Sequence, residues 1–387
     1  MSAPLELSIE RSAYGGEGVA HLDGKTCFVE GALPGERVLA RVTADKGGYL
    51  KARVFKVLKA SPHRTAPSCR YAKSCGGCQY QHVTYEEELR LKQAQVTELL
   101  TRAGWPADKI SGIVASPSPE RYRNSLTVQV VRKHGRALTG YYGQDNTTLV
   151  PVVDCPLLRP ELVPYLSVTP PYKDKAERLT YKVDADGRVH PGEKPVFIRM
   201  ALAGRRYLVP AGGFFQVNEA VASEAARRIA AWVGEAAPER LLDLYAGVGT
   251  LGLLCLDAAS EVVFAEEHEG SVEALRMNIA ESGAQDRLRV VTGRVEHRLE
   301  ELTPWITPRS VVLVDPPRKG LAEGMAVWLA RSGVQEVLYL SCDPSTLARD
   351  IRDLLQGGVY EPVEALPLDM FPRTRHIETL VRIRRRG

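Results

Sequence analysis

Between residues 5 and 58 apolar and polar positions alternate in short runs: LELSIER, GEGVAHLDG, KTCFVEG, ERVLARVTADKGG and YLKARVFKVLK. Glycine or Pro-Gly punctuates them, and period-two alternation at this spacing predicts a small antiparallel β-barrel. The segment 61–68, SPHRTAPS, has two prolines and no periodicity, so it marks a boundary. YEEELRLKQAQVTELLTRAG (85–104) places Leu89, Val96, Leu99 and Leu100 against a charged opposite face, which predicts a helix stopped by Gly104. RYRNSLTVQVVRKHGRALTGYYGQDNTTLVPVVDC alternates again, with turns at His134-Gly135 and Gln144-Asp145-Asn146, and reads as a meander of strands. YKVDADGRVHPG reads as a hairpin and PVFIRMALAGRRYLVP as strands.

From Glu219 the period changes. Helical segments alternate with the short apolar runs RLLDLYAG, EVVFAE, LRVVTG, SVVLVDPP and VQEVLYLS. That alternation predicts a parallel, doubly wound α/β sheet of Rossmann-like type. Only FPRTR separates the last two apolar runs, VEALPLDMF and HIETLVRIR, so these strands must be antiparallel. The expected organisation is multidomain: a barrel at 1–60, an α+β region with a cysteine cluster at 61–210, and the α/β domain at 211–387.

Composition changes this picture little. The 387 residues are 44% hydrophobic and 25% charged with a formal net charge of +4, which excludes disordered and fibrous classes. No apolar run approaches the roughly 18 residues of a membrane span, and MSAPLELSIER has no secretory pattern, so the expected location is cytoplasmic, with no membrane and no obligate protein partner. Spread basic clusters, including ERYRNS, AGRRY and the closing RIRRRG, fit a phosphate-backbone partner as well as an ordinary solvated surface.

Candidate chemistry gathers at the ends of the α/β strands. DLYAGVGTLG (243–252) satisfies G-x-G-x-x-G through Gly247, Gly249 and Gly252, and Glu266-Glu267 ends the next strand, where a ribose-binding carboxylate belongs. This fingerprint leaves a nicotinamide dinucleotide and S-adenosylmethionine both open. Asp243 favours the sulfonium ligand, because a carboxylate there would repel a pyrophosphate. Asp315 closes VVLVD before paired prolines, with Arg318 and Lys319 behind, and Cys342 follows LYLS. Ligands bind beyond the carboxyl ends of strands in such sheets, so both should face one crevice beside Gly247. Pro344 follows Cys342, and Ser345-Thr346 is expected to cap the next helix, a position that lowers a thiol pKa and favours a nucleophile. Cys27 and Cys255 read as buried hydrophobes.

Cys69, Cys75 and Cys78 are spaced C-x5-C-x2-C around Gly76-Gly77, with Cys155 as candidate fourth ligand. Four thiolates suit zinc or an iron–sulfur cluster, and the spacing leaves both open.

GGFFQVN (212–218), DLYAGVGTLG, VDPPRKG, SCDPSTLARD and FPRTRHIET (371–379), in that order, resemble the RNA uracil-C5 methyltransferase family. The resemblance implies a TRAM barrel at the N-terminus, a [4Fe–4S] cluster at the four cysteines, and S-adenosylmethionine as cofactor. It implies Cys342 as nucleophile and Glu378 as general base, with Gln216, Tyr245, Gly247, Gly249, Thr250, Glu266 and Asp315 around cofactor and pyrimidine. Thr250 stands where the family often has Asn. Phe214-Phe215 reads equally as plain core. The implied reaction makes 5-methyluridine through a Cys–C6 adduct, on large-subunit ribosomal RNA or alternatively on tRNA, with Lys51, Arg53 and Lys56 of the barrel offered to RNA. Two other classes compete: a nicotinamide-dependent oxidoreductase, which leaves DPPRKG and SCDP unexplained, and a non-catalytic RNA-binding protein.

Overall fold

A computed structural model describes residues 3–133, 135–171 and 177–387. His134, expected in a turn, lies outside the described residues. By internal contacts the chain forms two compact units: Met1–Val96 with Tyr141–Val150 and Phe371–His376, and Thr97–Gly140 with Pro151–Met370 and Ile377–Gly387.

The strands of the first unit are β1 (Leu5–Ser8), β2 (Arg11–Ser12), β3 (Gly18–Leu22), β4 (Lys25–Glu30), β5 (Arg37–Asp45) and β6 (Tyr49–Lys59). They form one sheet in the order β1-β5-β6-β4-β3-β2. Leu7 from one edge and Ala20 near the other share a single core with Cys27, Val29, Val38, Ala40, Leu50 and Ala52, so the sheet curls round that core. The expected all-antiparallel pattern is corrected at one place. β6 returns antiparallel to β5 but lies parallel to β4, because the β5–β6 hairpin folds back beside the earlier strand.

α1 (Tyr85–Arg102) follows, and its first half packs Leu91 on Tyr80, Val83 and Leu33. Within the same unit Lys92 pairs with Glu88 at 2.8 Å and donates to Phe371 O, while Gln79 N and Tyr80 N both donate to Arg373 O.

The second unit opens on hairpins. β7 (Ser125–Lys133) pairs antiparallel with β8 (Arg136–Tyr142), whose last residues ladder with β9 (Leu149–Val150) in the first unit. β10 (Arg178–Val183) pairs with β7 and with β11 (Val189–Pro191), and β12 (Phe197–Leu202) pairs with β13 (Arg205–Pro210). Then come α2 (Glu219–Ala236), β14 (Arg240–Leu244), α3 (Thr250–Leu254), β15 (Glu261–Glu266), α4 (Glu269–Ser282), β16 (Leu288–Thr292) and α5 (Leu299–Leu302). The chain ends with β17 (Ser310–Val314), α6 (Met325–Ser332), β18 (Glu336–Ser341), α7 (Pro344–Leu355), β19 (Tyr360–Leu368) and β20 (Glu378–Arg385). The seven-stranded sheet runs β16-β15-β14-β17-β18-β20-β19. Its inner strands β14, β17 and β18 are buried on both faces, and all strands are parallel except β20, which is antiparallel to both neighbours as the short FPRTR connection requires.

Candidate active site

Strand register sets the site. Leu244 lies opposite both Ala265 and Val314, so Tyr245, Glu266 and Asp315, one residue on, share a row beyond the sheet's carboxyl edge. Ser341 lies opposite Thr379 in the antiparallel pair, which brings Cys342 level with Glu378. Two residues far apart in sequence thus meet because β20 runs backwards.

The glycine loop is held by carboxylates from below. Gly247 N donates to Glu266 Oε2 at 2.8 Å, and Gly252 N to Asp243 Oδ2 at 2.9 Å. Gly249 has φ +82°, and a Cβ there would meet Leu275 Cδ1 at 2.4 Å, so only glycine lets α3 begin this close to α4. A Cβ at Gly247 would meet nothing within 4 Å, so this turn is open above the Glu266 carboxylate, as a nucleoside-bearing ligand requires. Tyr245 adopts φ +62°, a costly conformation for a non-glycine residue and one that recurs at ligand sites. Asp243 proves to be internal: it is buried, bonds the loop backbone, and is pushed up to about 7 by burial.

Cys342 departs from expectation. Asp343, not Ser345-Thr346, caps α7, accepting from Ser345 N at 2.9 Å and Thr346 N at 3.2 Å. The helix N–H groups are therefore spent on a carboxylate and do not lower the thiol. Burial, then Glu378 and Asp315, push the Cys342 thiol up to about 12, with Arg318 alone pulling the other way among the larger charges. Glu378 is only 2% exposed, and burial with the neighbouring Asp315 holds its carboxyl well above the usual range. Burial raises Asp315 as well. The corner contains two carboxyls and a thiol that all resist ionisation. The Asp315 loop is tied to α7, since Thr346 Oγ1 donates to Arg318 O and Leu321 N to Asp350 Oδ2.

Gln216 lies in the loop between β13 and α2, where its backbone O accepts from Asn124 Nδ2 at 2.9 Å. Thr250 opens α3. Among the described residues no hydrogen bond joins Gln216 or Thr250 to the carboxyl–thiol corner. In the same loop Phe215 is core, but Phe214 is 73% exposed, so the core reading fails for one ring of the pair.

One residue escaped sequence reasoning. Lys182, on β10, is 2% exposed and makes no ion pair among the described residues. Its Nζ donates to Gly213 O and, at 3.5 Å, to Pro210 O, and burial lowers its pKa to about 8. It clamps the turn that carries Phe214 and Gln216. A Cβ at Gly212 would meet Gly192 O at 2.5 Å, so the same turn is also pressed backbone to backbone. The only sequence signal was a lysine inside a strand whose neighbours, Tyr181 and Val183, are both apolar.

Cys69, Cys75 and Cys78 belong to the first unit and Cys155 to the second; all four are half-buried, whereas Cys27 and Cys255 are core. Gly77 N donates to Cys75 Sγ at 3.4 Å and Gln81 Nε2 to Cys78 Sγ at 3.8 Å, bonds of the kind that support metal thiolates. The donor chemistry fits a soft metal. Among the described residues, however, no three His, Cys, Asp or Glu side chains converge on a metal-sized position.

The family model described as tRNA (uracil-5-)-methyltransferase matches residues 196–386, and the TRAM domain model matches 4–55. The chain is 30% identical to an RNA methyltransferase of Thermosynechococcus vestitus, over 98% of this chain and 97% of that one. It is 31% identical to the 23S rRNA (uracil(1939)-C(5))-methyltransferase of Pseudomonas syringae, over 97% and 92% respectively. The fold matches that of Pyrococcus abyssi tRNA (uracil-54, C5)-methyltransferase, solved with S-adenosyl-L-homocysteine, at TM-score 0.71 and 21% identity over 98% of this chain and all of that one.

Two outcomes follow from the buried charges. Glu378→Gln removes an acid whose folded pKa lies above its unfolded value, so wild-type stability from this group is full below about pH 4.3 and is lost as pH rises. The variant's Tm should equal wild type near pH 4 and exceed it by about 2–4 °C at pH 8 in thermal melts, while turnover is lost. Lys182→Met should leave Tm within about 2 °C of wild type. It should lower kcat/KM for the nucleic-acid substrate about 10- to 100-fold, with binding of the nucleoside ligand at Gly247 unchanged by calorimetry.

Proposed function

Because the chain belongs to the tRNA (uracil-5-)-methyltransferase family and methylates C5 of uracil in RNA, we propose that it acts through a transient bond between Cys342 Sγ and C6 of the pyrimidine. The observation that carries this is the meeting of Cys342, Asp315 and Glu378 in one corner where burial raises the proton affinity of all three.

C5 of uracil is a poor nucleophile. Addition of sulfur at C6 makes the ring an enolate with carbanion character at C5, dividing one hard step into easier ones. A thiol held near 12 cannot be a resting thiolate, so its proton must leave as the S–C6 bond forms. In its ionised form, a raised carboxyl beside it is an acceptor of more nearly matched strength than an ordinary surface carboxylate. S-adenosylmethionine, when bound, supplies an electrophilic methyl group on a sulfonium. Once C5 carries the methyl group, Glu378 takes H5, the S–C6 bond breaks, and the electron pair returns to sulfur. The net release is one proton. Gly247, Gly249, Thr250, Tyr245 and the Glu266 carboxylate frame the methyl donor, whose ribose hydroxyls suit Glu266. Asp315 and Gln216 orient the uracil edge, and exposed Phe214 offers a face on which an extruded base stacks.

The substrate we propose is large-subunit ribosomal RNA, in keeping with the 23S rRNA enzyme similar over nearly the whole chain. A [4Fe–4S] cluster at Cys69, Cys75, Cys78 and Cys155 is the further part of the proposal, supported by the all-sulfur donor set and its N–H···S bonds, with zinc the alternative occupant.

Transcript carrying 5-fluorouracil, which has no removable H5, should trap a denaturation-resistant protein–RNA conjugate with wild type and none with Cys342→Ala. Methylation of normal transcript without such a conjugate overturns the covalent route. Mapping 5-methyluridine with and without the gene should show loss in 23S rRNA; loss in tRNA alone transfers the substrate to tRNA. Anaerobically purified protein should contain about four iron and four sulfide per chain; stoichiometric zinc without iron would reject the cluster.

A further inference from the structure

Residues 369–377 join β19 to β20, and β20 opens on Glu378. The middle of this connection, Phe371–His376, belongs to the first compact unit and is gripped there by an ion cluster almost wholly out of water. Glu88 and Lys92, one turn apart on α1, are both 0% exposed and meet at 2.8 Å. The Glu88 carboxylate accepts from Arg373 N at 2.7 Å and lies 3.3 Å from the Arg373 guanidinium. Lys92 Nζ donates to Phe371 O at 3.2 Å and lies 5.4 Å from the Tyr80 ring centroid. Arg373 Nη1 also donates to Val83 O at 2.9 Å, while Arg373 O accepts from Gln79 N and Tyr80 N. Gln79 Oε1 accepts from Arg375 N at 2.9 Å.

Two features of this grip are costly. Arg373 adopts φ +68°, a left-handed conformation that a side chain disfavours and that persists only where the surroundings over-determine it. A buried ion pair gives up the hydration of both charges, and apolar residues of similar volume often serve stability as well or better. Stability alone therefore explains neither feature. Both fix the path of the chain over residues 371–375, immediately before the carboxylate at Glu378. The β18–β20 register sets the level of Glu378, and the connection sets the direction from which the chain reaches it. A group that must take one hydrogen from one ring carbon tolerates little displacement.

We propose that Glu88, Lys92 and Arg373 are positioning residues for Glu378, holding the approach to β20 on the path that brings this carboxylate to H5 of the substrate. The inference rests on the reading of Glu378 as the base. A displaced base has its own signature. Addition of Cys342 at C6 and methyl transfer to C5 come before H5 leaves, and Asp315 stays beside the thiol, so both steps go on. Only the elimination that frees the product slows. Methylated RNA then stays bonded to Cys342 with H5 still in place.

The test uses the full-length enzyme with ordinary transcript and S-adenosylmethionine carrying a radioactive methyl group, quenched in denaturant. Wild type should hold little label on protein, and Glu378→Gln a large fraction. Glu88→Gln combined with Lys92→Met exchanges both members of the pair at once. It should lower kcat about tenfold and raise protein-bound label about tenfold over wild type. Arg373→Gly, which accepts the same φ, should do likewise and decides the question where the double variant fails to fold. Both should keep the wild-type affinity for S-adenosylmethionine and the wild-type rate of conjugation with 5-fluorouracil transcript, since neither requires H5 to leave. A merely structural cluster would lower Tm, or slow every step together, with no gain in bonded label, and that result overturns the proposal. Failure of Glu378→Gln to retain label would instead overturn the base assignment beneath it.

Discussion

The register between β18 and β20 is the constraint on which the proposed chemistry depends. A parallel sheet collects its loops at one edge, but each loop then arrives from a different crossover and at its own height. Reversing one strand places the start of β20 beside the end of β18, so Glu378 comes level with Cys342 through backbone hydrogen bonds. A slip of one residue would turn Glu378 to the opposite face of the sheet. Thr379 and Leu380, buried on the following rungs, hold that register from within the core.

The same arrangement makes the corner electrostatically expensive. Two carboxyls and a thiol sit together, Arg318 opposes the rise at Cys342 and Glu378, and burial favours the protonated form of each. On the proposed route, stability is spent there for reactivity, since groups reluctant to ionise alone can exchange protons with one another and with the substrate. Asp343 contributes by occupying the N-terminus of α7, so that the helix N–H groups bond its carboxylate instead of the thiol.

The turn at 210–218 is held from several sides. Lys182 below, Asn124 from the side and the contact of Gly192 with Gly212 leave the 210–218 turn few other conformations, so Phe214 is presented to solvent on a fixed backbone. An exposed aromatic on a rigid turn loses little entropy on binding a base.

Hydrophobic periodicity carried the architecture, because burial follows from local alternation. The strands of the curled sheet, helix α1, the alternating β/α run and the antiparallel end were all readable from spacing. So were the glycine loop, Glu266, Asp315 and Cys342, whose positions at strand ends follow from where apolar runs stop. What sequence could not supply was charge environment. The cap on α7 passed to Asp343, the thiol rose instead of falling, Asp243 turned inward, and a lysine in β10 became a buried clamp, since each depends on groups distant in the chain. The parallel pairing of β4 with β6 was likewise decided only when the sheet curled and set its registers.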